Sequence, residues 1–167
     1  AGRELFLDEA SVTATEQILI AAATAKGRTT LYNAACEPHV LDLAKLLNAM
    51  GAKISGAGSN TVEIDGVERL HGTEYTVVGD HIEAGSFLAL AAAAGGEITV
   101  HGTVPRHYWM LRRVFERLGI TMELHSDRIF LPGGQEPHVE CDFGGHIPQI
   151  SDGPWPQYRV KDRKSVV

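Results

Sequence analysis

Residues 11–27 read Ser11-Val-Thr-Ala-Thr-Glu-Gln-Ile-Leu-Ile-Ala-Ala-Ala-Thr-Ala-Lys-Gly27. This stretch combines a helix start, an almost entirely apolar body and a glycine at its end. Thr13 and Glu16 have the spacing of a capping box, and Gly27 can end a helix in the left-handed conformation. Apolar residues cover most of the remaining helix surface, so little of it can face water. We therefore expect a helix that is enclosed by other elements.

The same pattern occurs a second time, in residues 81–96. This second stretch is again rich in small apolar residues and again ends in glycine. A short strand with alternating apolar residues follows each helix, at residues 27–32 and at residues 96–101. The chain therefore contains an internal repeat.

The repeat continues with a proline-led amphipathic helix in each copy. The first begins at Pro38 and stops before Gly51, and the second begins at Pro105 and stops before Gly119. Two short strands around a turn then complete each copy, at residues 53–56 with 61–65 and at residues 121–125 with 128–131. The strands that lead into the two copies are expected in residues 1–8 and 73–78. The repeating unit is thus strand, helix, strand, helix, strand, strand, which predicts an α/β protein with two such units.

The composition favours a globular protein of one domain or two small ones. The chain has 167 residues, of which 44% are hydrophobic, and a formal net charge of -6. An acidic chain without a basic stripe has no general attraction for nucleic acid. No apolar run is long enough to cross a bilayer, and the N-terminus lacks a basic region followed by an apolar one. We therefore expect a cytoplasmic protein that binds neither nucleic acid nor a membrane.

Two further segments do not follow the repeat. Residues 135–158 are rich in proline and glycine and show no helical or strand periodicity, so they predict a long loop. Residues 159–167 carry no helix pattern, and we expect them to be a non-native tail, of which residues 162–167 match the translation of a sequencing adapter. The chain also starts without methionine, and we expect a fragment that is cut at both ends.

The start of the first apolar helix is a candidate anion site. Its free backbone N–H groups and the hydroxyls of Ser11, Thr13 and Thr15 can together receive a phosphate or diphosphate. The same groups can instead serve only to cap the helix. The carboxylates of Asp8 and Glu9 lie just upstream and would repel an anion. The residues alone leave both interpretations open.

The start of the second apolar helix gathers three ionisable residues, Asp80, His81 and Glu83. They can serve acid–base or charge-pairing chemistry, or Asp80 can simply cap the helix while His81 faces solvent. Glu37 precedes the helix that begins at Pro38, where a carboxylate complements the helix dipole. Both interpretations remain open for these residues.

No group of residues predicts a metal or redox site. The chain has 8 histidines, and none of them pairs with another at helical metal-ligand spacing. Cys36 and Cys141 have no partners at metal or redox spacing and are expected to be structural or incidental thiols. We expect neither a metal ion nor a cofactor.

Three strings within the repeats are more specific than any single motif. Residues 37–56 read Glu-Pro-His-Val-Leu-Asp-Leu-Ala-Lys-Leu-Leu-Asn-Ala-Met-Gly-Ala-Lys-Ile-Ser-Gly. Residues 64–75 read Ile-Asp-Gly-Val-Glu-Arg-Leu-His-Gly-Thr-Glu-Tyr, and residues 80–86 read Asp-His-Ile-Glu-Ala-Gly-Ser. Together they closely resemble the UDP-N-acetylglucosamine 1-carboxyvinyltransferase family, and the resemblance runs from about Leu5 to Tyr158.

The resemblance implies an inside-out α/β barrel fold. In that family each of two similar domains contains three strand-helix-strand-helix-strand-strand units, with the helices inside and the sheets outside. Residues 1–78 correspond to the last unit of one domain, and residues 79–134 correspond to the first unit of the other. Residues 135–158 are then expected to be a loop close to the active site.

The resemblance also implies a reaction. The family transfers the enolpyruvyl group of phosphoenolpyruvate to the 3'-hydroxyl of UDP-N-acetylglucosamine and releases phosphate, without a cofactor. This is the committed step of peptidoglycan precursor synthesis, on which cell shape and cell division depend, and the full-length protein is expected to be a monomer. The sister enzyme 3-phosphoshikimate 1-carboxyvinyltransferase is one alternative, which the strings around Glu37 and Asp80 disfavour. A non-catalytic paralogue that binds a UDP-sugar is another.

The resemblance assigns substrate-binding residues as well. The family's segment that binds the UDP part of the sugar nucleotide corresponds to the start of the first apolar helix. Contacts with the substrate are expected from Glu9, Ala10, Ser11, Val12 and Thr13. Glu9 stands where many members have lysine. The residues expected beside the cleft and between the domains are Glu37, Asp80, His81 and Glu83.

The expected catalytic base is harder to assign. In the family it is an aspartate that closes a segment of the type Pro-x-Phe-Pro-Thr/Ala-Asp. Residues 156–158 match the beginning of that segment, but Lys161 stands where the aspartate should be. Asp152 is a weaker candidate in another register. The family's reactive loop cysteine and its lysine for phosphoenolpyruvate have no counterpart in this chain, so we expect no turnover from the chain by itself.

Overall fold

The computed structural model describes residues 1–139, 141, 144–145, 147, 149–151, 153, 155–156 and 159–161. The chain divides into two compact units, of which the first contains Ala1–Val78 and the second begins at Gly79. Among the described residues, the helices are all too short or too polar to cross a bilayer.

The first unit has the predicted order of elements. Its helices and strands are β1 (Glu4–Phe6), α1 (Val12–Ala23), β2 (Arg28–Tyr32), α2 (Pro38–Ala49), β3 (Lys53–Ser55) and β4 (Thr61–Asp65). They form a four-stranded sheet in the order β1-β2-β4-β3, in which β1 runs parallel to β2 and the other pairs are antiparallel. The strand-helix-strand-helix-strand-strand prediction is confirmed for this unit.

The core of the first unit lies where α1 and α2 pack against each other and against the sheet. Each helix contributes one apolar stripe, and the strands contribute alternate residues because successive side chains point to opposite faces. The fully buried apolar side chains of this core include Leu19, Ala23, Leu31, Val40 and Ile64.

The second unit repeats most of this order. Its elements are α3 (His81–Ala93), β5 (Ile98–His101), a 3-10 helix (Pro105–Tyr108), α4 (Trp109–Arg117), β6 (Glu123–Leu124) and β7 (Arg128–Leu131). The strands form an antiparallel sheet in the order β5-β7-β6. Its core is separate from that of the first unit and includes Leu88, Tyr108, Phe115, Ile129 and Leu131.

The leading strand that we predicted for the second unit, residues 73–78, does not form. These residues pair with no strand among the described residues, and the backbone N–H of Val78 donates to the carboxylate of Asp42 instead. The alternation of the sequence was therefore misleading here. A strand needs a partner for its backbone groups, and apolar alternation does not supply one.

The predicted capping box of α1 is also wrong. The N-cap is Ser11, whose Oγ accepts a hydrogen bond from the N–H of Ala14, and the helix ends at Ala23. Gly27 is left-handed as predicted, with φ 90°, but it lies in the turn before β2 rather than at the helix end. The prediction rested on the Thr13–Glu16 spacing, whereas serine is the better capping residue by type.

The helices α1 and α3 are less enclosed than their sequences predicted. Each buries one stripe, whereas Ile20 on α1 is 50% exposed and Phe87 and Leu90 on α3 are 49% and 64% exposed. One sheet covers only one side of a helix, so the opposite side of each helix meets no described residue that covers it. These two helices therefore carry more apolar residues than the described part of the chain buries.

The segment 135–158 contains more order than the predicted loop. Gln135 is held by four hydrogen bonds, which its side chain makes with Thr121 and with the carbonyl of Pro132. Further along, β8 (Gln149–Ser151) pairs antiparallel with β9 (Arg159–Lys161). The sequence pattern does not predict this strand pair, and β9 lies in the residues expected to be a non-native tail.

The turn between α2 and β3 depends on one side chain. The Oδ1 atom of Asn48 accepts from the N–H of Ile54, and its Nδ2 atom donates to the carbonyl of Ile54, both at 2.8 Å. We expect Asn48→Ala to lower the free energy of unfolding of the first unit by about 1–2 kcal/mol, because both backbone groups lose their partner. Urea denaturation followed by circular dichroism measures this.

Asn60→Ala is the matched control for that prediction. Its side chain accepts a 3.3 Å hydrogen bond from the neighbouring Thr61 hydroxyl at the surface. We expect a change within about 0.5 kcal/mol for this variant. Equal destabilisation by the two substitutions would contradict the proposed role of Asn48.

Candidate functional site

The N-terminus of α1 presents two backbone donors. The side chain of Ser11 takes the N–H of Ala14, and Ser11 itself is extended, with φ -75° and ψ 123°. The N–H groups of Val12 and Thr13 have no hydrogen-bond partner among the described residues. Free N–H groups at the positive end of a helix attract anions. This helix end can therefore accept a negatively charged group.

The residues around this helix end differ in exposure. Glu9 and Thr13 are exposed, and Ala10, Ser11 and Val12 are half-buried. The backbone carbonyl of Glu9 accepts from the N–H of Ser11 at 2.7 Å, so the chain turns tightly just before the helix. The carboxylate of Glu9 lies in the same exposed segment and opposes the attraction of the N–H groups for an anion.

Thr15 does not supply the exposed hydroxyl that the sequence suggested. It is fully buried, and its Oγ1 atom donates to the carbonyl of Ser11 at 2.7 Å and accepts from the N–H of Ala35 at 3.0 Å. This one hydroxyl therefore links the start of α1 to the segment that leads into α2. Two stretches that are 20 residues apart in the chain are held together in this way.

Glu37 occupies the N-cap position of α2 but makes no capping hydrogen bond with its side chain. Its Oε2 atom is buried and has no hydrogen-bond partner among the described residues. A buried carboxylate oxygen is costly unless a donor reaches it, so this oxygen is available to accept a hydrogen bond. Glu37 lies two residues after Ala35, which Thr15 binds, and Thr15 also binds Ser11. These hydrogen bonds connect the segment that contains Glu37 to the start of α1.

Cys36, which precedes Glu37, is not set up as a nucleophile. Burial raises the pKa of its thiol, and the negative charge of Glu37 raises it further. A raised pKa lowers the thiolate fraction at neutral pH. Both cysteines are free, and Cys141 is exposed.

The start of α3 is occupied by its own cap. The Oδ1 atom of Asp80 accepts from the N–H groups of Ile82 and Glu83 at 2.8 and 3.1 Å, which confirms the capping interpretation. His81 is half-buried, and the centroid of its ring lies 6.2 Å from that of His107, so it is not simply solvated. Glu83 is exposed.

Tyr108 is a buried group near this helix start that the sequence did not single out as a site residue. Burial raises the pKa of its phenol, and the negative charge of Asp80 raises it further. Tyr108 lies within the predicted helix that begins at Pro105, and the sequence offered no signal that it lies near Asp80. Only the packing of the 3-10 helix on α3 shows this.

The remaining predicted candidate, Asp152, lies outside the described residues. Within the described part of the chain, no three His, Cys, Asp or Glu side chains are grouped so that they could hold a metal ion. The sequence also missed the bridging role of Thr15. The signal for it was that Thr15, Leu19 and Ala22 share one helix face with the core.

Comparison with known families decides the relationship. The sequence profile of EPSP synthase (3-phosphoshikimate 1-carboxyvinyltransferase) matches residues 1–142. This match covers more than half of the chain. The chain belongs to the EPSP synthase family.

Within this family, the chain is similar to enzymes that are named UDP-N-acetylglucosamine 1-carboxyvinyltransferase. It is 51% identical to that of Borreliella burgdorferi over 157 residues, which is 94% of this chain and 37% of the relative. It is 49% identical to that of Treponema denticola, with the same coverage. The chain thus spans little more than a third of the length of these relatives.

Solved structures of the family have a similar fold. The enolpyruvyl transferase NikO from Streptomyces tendae matches with a TM-score of 0.60 at 26% identity, over 72% of this chain and 29% of that one. The EPSP synthase of Acinetobacter baumannii also matches with a TM-score of 0.60, at 20% identity, over 88% of this chain and 34% of that one. The α/β fold expected from the repeat is confirmed.

The Thr15 bridge makes a testable prediction. Thr15→Val keeps the shape of the side chain but leaves the buried N–H of Ala35 without an acceptor, and we expect it to lower the free energy of unfolding by about 1–3 kcal/mol. Thr15→Ser keeps the hydroxyl and should be affected less. Urea denaturation of the purified chain measures both.

Thr13→Val is the matched control, because the hydroxyl of Thr13 is exposed two residues earlier on the same helix. We expect it to change the free energy of unfolding by less than about 0.5 kcal/mol. If Thr15→Val is as stable as Thr13→Val, the bridge does not hold these two segments together.

Proposed function

We propose that the complete protein to which this chain belongs transfers the enolpyruvyl group of phosphoenolpyruvate to the 3'-hydroxyl of UDP-N-acetylglucosamine and releases phosphate. The observation that carries this proposal is the identity of 46% to 51% to relatives named for that transfer, over at least 93% of this chain. The cellular role that follows is peptidoglycan precursor synthesis in the cytoplasm, on which cell shape and cell division depend. We also propose that the complete protein is a monomer and needs no cofactor.

The N-terminus of α1 is the proposed binding site for the diphosphate of the sugar nucleotide. The two unpartnered N–H groups of Val12 and Thr13 support this assignment, because they are the donors that an anion at a helix start uses. Ser11 holds the helix start in shape through its cap, and Glu9 and Ala10 form the turn that leads into it. The Thr15 bridge keeps this end rigid, which lowers the entropy cost of binding.

Glu37 is proposed to take part in the same binding region. Its buried and unpartnered Oε2 atom supports this, because a substrate hydroxyl or a donor from the rest of the protein would satisfy it. Asp80, His81 and Glu83 remain proposed cleft residues on the resemblance alone. The chain's own residues therefore bind and position the substrate in this proposal, and the proton-transferring groups belong to other parts of the complete protein or to Asp152.

A second candidate is transfer to shikimate 3-phosphate, the substrate implied by the name of the matching family profile. Both reactions use phosphoenolpyruvate and release phosphate, so the acceptor alone distinguishes them. We expect the full-length protein to release phosphate from phosphoenolpyruvate with UDP-N-acetylglucosamine and not with shikimate 3-phosphate. We also expect no phosphate release from the 167-residue chain by itself.

A colorimetric phosphate assay with each acceptor, and with phosphoenolpyruvate alone, tests this prediction. Phosphate release that depends on shikimate 3-phosphate would show that this compound, and not UDP-N-acetylglucosamine, is the acceptor substrate. Binding of UDP-N-acetylglucosamine in calorimetry without any release would identify a non-catalytic UDP-sugar-binding protein. Turnover by the 167-residue chain would contradict the expectation that catalysis needs other parts of the complete protein.

The proposed diphosphate contact can be tested by removing one backbone donor. Proline is accepted at the first position of a helix, and the extended conformation of Ser11 suits a residue that precedes proline. We expect Val12→Pro in the full-length protein to raise the KM for UDP-N-acetylglucosamine about tenfold, because it removes one N–H that would bind a charged oxygen. The KM for phosphoenolpyruvate should stay within about twofold.

Val12→Ala is the control for this variant, because it removes the same side chain and keeps the N–H. Steady-state kinetics of the two variants isolate the contribution of the backbone donor. Equal KM values for UDP-N-acetylglucosamine in the two variants would show that this N–H does not bind the substrate.

A further inference from the structure

The last 13 residues of the first unit, 66–78, form no helix or strand, and we refer to them as the strap. Its first half is fastened to the C-terminal ends of both helices. The N–H of Val67 donates to the carbonyl of Ala23 at 2.9 Å, and the N–H of His71 donates to the carbonyl of Met50 at 2.9 Å. Leu70 packs against the core of the unit. The first half of the strap is therefore part of the folded unit.

The second half of the strap is held by one residue on α2, Asp42, whose backbone carbonyl also lies 3.4 Å from the hydroxyl of Tyr75. The Oδ1 atom of Asp42 accepts from the hydroxyl of Tyr75 at 2.7 Å, and its Oδ2 atom accepts from the N–H of Val78 at 3.1 Å. Both oxygens of the carboxylate are thus used, and both donors come from the strap. Hydrogen bonds to a charged acceptor are stronger than those between neutral groups.

We refer to the two hydrogen bonds between the Asp42 carboxylate and the strap as the anchor. The exposure of the second half of the strap shows why it needs the anchor. Thr73, Glu74, Thr76 and Val77 are exposed, and their backbone pairs with no strand among the described residues. Tyr75 and Val78 are half-buried, and these are the two residues that Asp42 binds. Apart from those to Asp42, the hydrogen bonds that join the strap to the rest of the first unit end at His71 among the described residues, seven residues before Val78.

We propose that Asp42 is a positioning residue, which fixes the direction in which the chain leaves the first unit by holding Tyr75 and Val78. Val78 is the last residue of this stretch of the first unit, so the two hydrogen bonds to Asp42 hold the point at which the chain leaves the unit. This role does not depend on whether the complete protein transfers the enolpyruvyl group to UDP-N-acetylglucosamine or to shikimate 3-phosphate. It assigns to Asp42 a function that neither the repeat nor the helix pattern indicates.

The state of Tyr75 provides a direct signal for this anchor. Burial, the hydrogen bond to Asp42 and the charge of Asp42 raise the pKa of Tyr75 from 10.0 to about 12. The phenol must be protonated to donate, so the anchor is complete below pH 10 and is lost as the pH rises through about 12. Loss of Asp42 should lower the pKa of Tyr75 towards the usual value for tyrosine.

The experiment uses four variants of the 167-residue chain: Asp42→Ala, Asp42→Asn, Tyr75→Phe and the control Glu74→Gln. Amide hydrogen exchange by NMR measures the protection of the Val78 N–H, and a pH titration of ring-labelled tyrosine measures the pKa of Tyr75. Tyr75→Phe assigns the tyrosine signal. Glu74→Gln removes a carboxylate from the strap next to Tyr75 without touching the anchor.

We expect Asp42→Ala to speed exchange of the Val78 N–H about tenfold and to lower the pKa of Tyr75, with the amides of Leu46 and Leu47 on α2 unaffected. Asp42→Asn should fall between Asp42→Ala and the wild type, because an amide has one oxygen to offer in place of two. Tyr75→Phe should keep most of the Val78 protection, and Glu74→Gln should keep all of it.

Unchanged exchange at Val78 and an unchanged pKa of Tyr75 in Asp42→Ala would overturn the proposal. If Asp42→Ala fails to fold, the comparison of Asp42→Asn with Glu74→Gln decides in its place. Equal values for those two variants would then refute a positioning role, and faster Val78 exchange in Asp42→Asn alone would support it.

Discussion

The structure of the first unit depends on the burial of one stripe of α1. Thr15, Leu19, Ala22 and Ala23 face the sheet, and both Thr15 and Leu19 are 0% exposed. A buried leucine contributes about 1.5–3 kcal/mol through the hydrophobic effect, but a buried hydroxyl stabilises only if it is hydrogen-bonded. Thr15 meets that condition by bonding to Ser11 and to Ala35. The start of α1 is thus held in place because Thr15, a polar residue of the buried stripe, makes these two hydrogen bonds.

Elsewhere, single side chains take over the role of backbone partners at the points where the chain leaves regular structure. Asn48 pairs with both backbone groups of Ile54, and Gln135 pairs with those of Thr121. Asp42 does the same for the end of the strap. Amide and carboxylate side chains suit these places because they offer two polar atoms at a fixed separation. These three residues fix segments outside regular structure that glycine and proline alone would leave variable.

The two apolar helices differ most at their starts, although their sequences resemble each other. At α1 the cap takes one N–H and leaves those of Val12 and Thr13 free, whereas at α3 Asp80 takes two. An uncharged cap with free donors leaves room for an anion, and a carboxylate cap does not. The proposed diphosphate site therefore lies at α1, and the start of α3 is occupied by its own side chain.

The sequence by itself determined the order and type of most elements, because apolar periodicity and the glycines and prolines at element ends are local signals. It also determined the repeat and the family, since the strings around Glu37 and Asp80 are specific. Tertiary structure alone decided that residues 73–78 are not a strand, that Ser11 rather than Thr13 caps α1, and that Thr15 is buried. The first and the last of these depend on the partner that a polar group finds across the fold, and a partner 36 or 20 residues away leaves no mark on the local pattern.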